Sequence, residues 1–239
     1  MAADALTIAL VYPELLGTYG DRGNLLALVH RGRARDLPVR VLEVAPGDPV
    51  PGEADLYLLG GGEDSSLLLA WELLREQPVL TSALENGTPC LAVCAGFQLL
   101  SEQFAGPDGS VRAGMGLLDV RCGRLAGERA VGEVVADAVG LPIGRLSGYE
   151  NHQGDAALGA DATPLGRVTA GTGNGHDSHE GAVQHGVVAT YLHGPVLARN
   201  PALADHLLSA TTGATLEPLE HAAVERLRHE RFAAATAAR

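Results

Sequence analysis

The stretch Pro89-Cys90-Leu91-Ala92-Val93-Cys94-Ala95-Gly96-Phe97-Gln98-Leu99-Leu100 decides how this chain folds. An apolar run enters it, passes through a cysteine into two small residues and leaves as a helical pattern, which is the form of a strand-to-helix nucleophile elbow. A side chain at such a turn is pushed out at the carboxyl end of a sheet. There the N–H groups that open the helix can lower a thiol pKa from its free value of about 8.5 and hold an oxyanion. Ala95 and Gly96 leave room for a substrate to approach. A free cysteine is more often an inert buried residue; Cys90 and Cys122 read that way, and the elbow sets Cys94 apart.

Working outward, residues 6–12, 39–44, 56–59 and 89–93 read as buried strands, and residues 24–31, 66–76, 79–86 and 97–104 as helices. This alternation predicts an α/β fold with a mostly parallel sheet covered by helices on both faces. After Gly106 the runs shorten. Residues 116–120, 132–139, 145–151, 166–170, 181–184 and 187–191 are separated by glycines, which predicts hairpins and a mixed edge to the sheet. Residues 200–209 and 217–235 close the chain as helices, and residues 171–180 read as a mobile loop. The expected organisation is one domain over residues 1–211 followed by a C-terminal helical extension over residues 212–239.

The chain has 239 residues, 46% of them hydrophobic, enough for a sizeable core. Its 17 basic residues, all arginine, face 29 acidic ones for a net charge of −12, so its surface should repel nucleic acid and anionic membranes. Without lysine there is no phosphate-binding loop ending in Gly-Lys-Ser/Thr and no lysine Schiff base. The apolar start lacks a basic leader and stops at Tyr12-Pro13-Glu14, too short for a membrane span, so the expectation is a cytoplasmic protein. Three cysteines without a disulfide framework direct attention to thiol reactivity.

A nucleophilic thiol needs a base. His193 stands where the strand 187–191 runs out into Gly194-Pro195, and strand ends are where α/β sites gather. Gly60-Gly61-Gly62, directly after strand 56–59, offers backbone N–H groups for a developing oxyanion, although a tight turn explains three glycines equally well.

On these residues the chain resembles the class I glutamine amidotransferases, whose mark is Cys-x-Gly-x-Gln after a strand, here Cys94-Ala95-Gly96-Phe97-Gln98, with a histidine at a later strand end. Four further segments, Tyr19-Gly20-Asp21-Arg22-Gly23-Asn24, Gly60-Gly61-Gly62-Glu63-Asp64, Gly148-Tyr149-Glu150-Asn151-His152 and Tyr191-Leu192-His193-Gly194-Pro195, are similar to the branch related to cobyric acid synthase. More narrowly they resemble the GatD family, glutaminase subunits of lipid II isoglutaminyl synthase. The resemblance implies the flavodoxin-like sheet of that superfamily and a thioester mechanism with Cys94 as nucleophile and His193 as acid–base. It implies Gly61, Gly62 and Ala95 around the oxyanion, Gln98 bracing the site, and L-glutamine held by Arg129, with Arg121 and Arg124 as neighbours to which the match could shift. It further implies a heterodimer with a MurT-like Mur-ligase synthetase that binds ATP and magnesium, no cofactor in this chain, and ammonia delivered to the D-glutamate of lipid II. Corrinoid amidation and a non-catalytic regulatory subunit are the alternatives.

Two positions depart from the superfamily pattern. Ala92 replaces a glycine before the nucleophile. Pro195 occupies the place, two residues beyond the histidine, where a glutamate usually orients the ring. The resemblance implies that the orienting acid then comes from the synthetase; within this chain Glu150 is the first suspect. His176-x-x-His179 beside Asp177 and Glu180 reads as a polar loop rather than a metal site, and residues 149–152 as a site wall or as ordinary strand-end hydrogen bonding.

Overall fold

The computed structural model describes residues 5–175, 177–219 and 221–237. Its elements in chain order are β1 (Leu6–Val11), α1 (Arg22–Arg33), β2 (Val39–Val44), β3 (Leu56–Leu59), α2 (Asp64–Leu74), α3 (Pro78–Glu85), β4 (Cys90–Val93), α4 (Ala95–Leu100), β5 (Ser101–Ala105), β6 (Val111–Ala113) and β7 (Leu118–Arg124). There follow β8 (Ala130–Ala138), β9 (Arg145–His152), β10 (Gly154–Leu158), β11 (Gly166–Ala170), β12 (His179–Glu180), β13 (Ala182–Gln184), β14 (Val187–Thr190), α5 (Val196–Arg199), α6 (Pro201–Thr212) and α7 (Ala222–Ala237).

The central sheet runs β13-β14-β4-β3-β1-β2, with every pair parallel except the antiparallel β13–β14 edge. Counting its parallel strands from the N-terminus gives the order 2-1-3-4-5 of flavodoxin-like folds, in which ligands gather beyond the carboxyl ends of the strands. Burial explains the short apolar runs. All residues of β1, β3, β4 and β14 are buried, as strands covered on both faces must be, whereas the edge strand β2 is mostly exposed or half-buried.

The expected hairpins form, but of the strands after Gly106 only β13 and β14 join the central sheet. The others build two separate four-stranded sheets, β10-β7-β5-β6 and β12-β11-β8-β9. The helix expected over residues 97–104 ends at Leu100, where the Ser101 hydroxyl donates to the carbonyls of Gln98 (2.7 Å) and Gln103 (2.8 Å), and residues 101–105 turn into β5. A Pro-Asp-Gly turn at residues 107–109 carried that hairpin signal. Residues 171–175 and 177–180 are also less free than a mobile loop. Asn174 is fully buried and exchanges side-chain bonds with the Gly181 carbonyl (3.0 Å) and N–H (2.8 Å), and the Glu150 carboxylate accepts from the N–H groups of Thr172 and Gly173.

Near the C-terminus, α6 continues to Thr212 and stops at the left-handed Gly213. Helix α7 sets Phe232 and Ala235 against Val135 and Ala170, while Arg228 donates to the carbonyls of Arg199 (2.6 Å) and Arg145 (3.0 Å).

Glu180 is fully buried, with one carboxylate oxygen bonded to the Thr190 hydroxyl and the Tyr191 N–H and the other without a partner among the described residues. Burial pushes its pKa up to about 7, against about 4.3 in an unfolded chain. A carboxyl raised on folding contributes stability that is present below its unfolded pKa and lost as pH rises through its folded one. The urea midpoint should therefore fall between pH 5 and pH 7.5, and fall less in Glu180→Gln, which keeps an oxygen for both bonds.

Candidate active site

Four strand ends meet at the carboxyl edge of the central sheet: the loop after β1, the glycines after β3, the cysteine after β4 and the histidine after β14. Cys94 takes φ 51°, ψ −100°, a conformation that non-glycine residues rarely adopt. Its N–H donates to the Thr190 carbonyl (2.8 Å) and its carbonyl accepts from the Gln98 N–H (3.0 Å), so the turn is fastened to the neighbouring strand and to α4. Gly96 is required by close approach: a Cβ there would stand 2.8 Å from the Leu59 carbonyl oxygen.

His193 is 1% exposed, and its backbone is pinned to β9 by bonds in both directions with Tyr149 (2.8 and 3.0 Å). A Cβ built on Gly61 would lie 2.7 Å from His193 Cε1, 3.4 Å from Cys94 Cβ and 3.2 Å from Asp21 Oδ2. Thiol and imidazole therefore converge around one glycine, as a nucleophile–base pair requires. Neither ring nitrogen has a hydrogen-bond partner among the described residues.

The thiol departs from the expected activation. Burial, and after it the Asp21 carboxylate, push the Cys94 pKa up to about 12, while the Ala95 N–H acts in the opposite direction without prevailing. A thiol raised in this way favours its neutral form at rest, and the His193 imidazole is a base close enough to take its proton.

The glycines after β3 serve packing as much as charge. A Cβ on Gly60 would meet the Leu16 carbonyl oxygen at 2.0 Å, and one on Gly62 the Leu15 carbonyl oxygen at 2.5 Å, so the loop after β1 lies directly on them. The Gly61 N–H is already taken by Asp21 Oδ2 at 2.7 Å. The N–H of Gly62 has no such partner among the described residues and, with Ala95 N–H facing the sulfur, is the better oxyanion donor.

Arg129 lies at the mouth of the pocket that contains Cys94, Gln98 and Gly62. Its Nε donates to Asn151 Oδ1 (2.6 Å) and its terminal nitrogen to the Asn151 carbonyl and the Tyr19 hydroxyl (3.1 Å each), while Tyr19 donates in turn to Glu63. This chain of bonds fixes the guanidinium within the pocket, close enough to Cys94 to act on its charge. Arg124 also lines the pocket, whereas Arg121 pairs with Glu102 elsewhere. Gln98 packs against Gly154, whose Cβ would stand 2.5 Å from Gln98 Nε2.

His152 forms part of the wall, stacked on Tyr191 at 4.0 Å between ring centroids and donating from Nδ1 to the Gly154 carbonyl. Glu150 does not reach His193; its carboxylate is held by Thr172 and Gly173 and lies 3.7 Å from His152 Nε2. The carboxylate beside the His193 imidazole is Asp21, with Oδ1 3.7 Å from His193 Nδ1. Sequence reading quoted Asp21 within a motif but gave it no role. The available signal was an acid in the loop between β1 and α1, at the switch point of a 2-1-3-4-5 sheet. Among the described residues no cluster of His, Cys, Asp and Glu is arranged to hold a metal ion; His179 bonds Asp177, and His176 lies outside the described residues.

Residues 7–201 match the CobB/CobQ-like glutamine amidotransferase domain. The chain belongs to this family and is a glutamine-hydrolysing enzyme. It is 35% identical over 221 residues to the lipid II isoglutaminyl synthase (glutamine-hydrolyzing) subunit GatD of Staphylococcus aureus, covering 90% of this chain and 89% of that one. To the cobyric acid synthase of Sphingopyxis alaskensis it is 36% identical over 179 residues, but it spans only 34% of that longer protein. Among solved structures, a glutamine amidotransferase superposes with a TM-score of 0.60 at 19% identity, over 87% of this chain and all of the other, which confirms the fold.

An electrophilic glutamine analogue should label Cys94 and spare the fully buried Cys90 and Cys122, as peptide mapping would read. With a pKa of about 12, Cys94 should react slowly with chloroacetamide at pH 7 and progressively faster up to pH 10, without a plateau between.

Proposed function

We propose that this chain is the glutaminase subunit of a two-chain amidotransferase that amidates the D-glutamate α-carboxylate of the lipid II stem peptide. The convergence of Cys94, His193 and Gly61 carries the chemistry. Likeness to GatD along nearly the whole of both chains, against a match to one third of a cobyric acid synthase, favours the cell-wall substrate over a corrinoid.

In this reading Cys94 Sγ attacks the side-chain carboxamide carbon of L-glutamine as its proton passes to His193, and the oxyanion is received by the N–H groups of Gly62 and Ala95. His193 returns the proton to the departing nitrogen, which leaves as ammonia and yields a thioester. Water then adds to the thioester carbon and gives a proton to His193. Collapse of that adduct releases glutamate, and the sulfur recovers its proton. Arg129 takes the α-carboxylate of glutamine.

Ammonia passes to a MurT-like, Mur-ligase-type synthetase, which holds ATP and magnesium and activates the acceptor carboxylate; this chain needs no cofactor of its own. The acidic surface, with a net charge of −12, suits neither nucleic acid nor anionic lipid. Among the described residues no helix is long and apolar enough to cross a membrane. We place the enzyme in the cytoplasm, where Mur-type synthetases find their nucleotide.

Arg129→Ala should raise KM for glutamine with little change in kcat, by the roughly 1.5–3 kcal/mol of a charged hydrogen bond. Free ammonia should still support synthesis by the complex. Reconstitution with a Mur-ligase-type synthetase and lipid II tests the acceptor directly. Glutamine-dependent amidation of lipid II is expected, and amidation of a corrinoid acid instead would reverse the assignment.

A further inference from the structure

Resting on the glutaminase reading, we propose that Asp21 is the positioning residue for His193, so that this chain carries its own orienting carboxylate at the start of α1 rather than two residues beyond the histidine.

Asp21 and His193 are 2% and 1% exposed. With the His193 backbone pinned to Tyr149, only rotation of the ring is left to be fixed, and its Nδ1 has no partner among the described residues other than the Asp21 carboxylate facing it at 3.7 Å. A shift of about 1 Å would bring the two into hydrogen-bond range, and catalytic bonds commonly close in this way when substrate binds.

Asp21 occupies the position that usually caps a helix, yet its side chain makes no capping bond to α1. It is turned into the site. Oδ2 accepts from the Gly61 N–H at 2.7 Å, and Oδ1 receives only a long contact from Asn24 Nδ2 at 3.5 Å, which leaves it available to the imidazole. Asn24 is itself held by the Leu197 N–H at 2.9 Å, tying α1 to the segment that follows the histidine.

Pro195 explains why the acid comes from α1. A Cβ on Gly23 would stand 2.1 Å from Pro195 Cγ, so the proline packs directly against the first turn of that helix. The position that bears a glutamate in related enzymes is used here to seat the helix that presents Asp21.

The groups facing His193 can be named. The loop after β1 supplies Asp21 and Tyr19, whose ring lies 4.6 Å from the imidazole; β4 supplies Cys94; and Arg129 and Glu63 meet at the Tyr19 hydroxyl. Of the two carboxylates, Glu63 is exposed and Asp21 buried. During acylation the thiol proton arrives at His193 Nε2 while Nδ1–H points at Asp21; the proton on Nε2 then leaves with ammonia.

The test uses the full chain, alone and with its synthetase. Asp21→Asn keeps the volume and an oxygen for the Gly61 N–H while removing the charge. We expect kcat for glutamate release to fall about 10²-fold with KM within about twofold. We also expect the acid limb of kcat/KM to move down by about one pH unit, because a lost carboxylate disfavours imidazolium. Asp21→Glu, which restores the charge, should return the limb towards its original position. The NMR titration midpoint of His193, observed at Cε1 in the unliganded chain, should drop in Asp21→Asn, and this readout requires no turnover. An unchanged midpoint and acid limb would overturn the proposal even if activity were lost, because Asp21 would then only hold the Gly61 loop. If kcat also stayed unchanged in the complex, the orienting acid would belong to the docked synthetase. Absence of glutamate release by the wild-type complex would instead refute the glutaminase reading, while the NMR titration would still decide the role of Asp21.

Discussion

The site depends on one strained peptide geometry, the positive φ of Cys94 at the end of β4. Backbone in such a region costs on the order of 1–3 kcal/mol and persists only where its surroundings over-determine it. Here the surroundings are specific: β4 lies between β3 and β14 in the sheet interior, the Cys94 N–H is taken by Thr190, and Gly96 sits against the Leu59 backbone with no space for a side chain. The same bonds that force the turn join the nucleophile to β14, the strand that carries His193. Holding the elbow and aligning its base are therefore one structural act.

Burial sets the electrostatics. Cys94 is 6% exposed, and its thiol pKa is pushed up by burial first and by the neighbouring Asp21 carboxylate second. The same buried acid faces the His193 ring, with Oδ1 3.7 Å from Nδ1, so one carboxylate adjoins both the thiol and the imidazole. The raised thiol pKa protects the resting cysteine, because oxidation and stray alkylation proceed through the thiolate.

The glycines after β3 show how packing and chemistry share residues. Gly60 and Gly62 admit the backbone of the loop after β1, and Gly61 leaves the space in which His193, Cys94 and Asp21 meet. Any side chain there would push apart the loop that brings Tyr19 and Asp21 to the site. The three glycines are consequently a condition for assembling the site before they are donors to an oxyanion.

The sequence by itself determined the strand-to-helix elbow, the parallel α/β sheet, and the placing of Cys94 and His193 at strand ends, because each is written in a local run: period, turn residues and a reactive side chain within a dozen positions. Arg129 was legible only through resemblance, since the path that brings it to the pocket mouth depends on the β7–β8 connection and not on its neighbours. The pairing of the later strands into two additional sheets was not legible, because partners far apart in the chain, such as β10 with β7 and β11 with β8, decide it, as the Glu150 contacts of residues 172 and 173 fasten the segment beside Asn174. Asp21 lies 172 positions from His193, and nothing in the intervening residues encodes their meeting. Only the parallel order that places β1 beside β3, together with the packing of Pro195 on Gly23, brings that carboxylate to the ring.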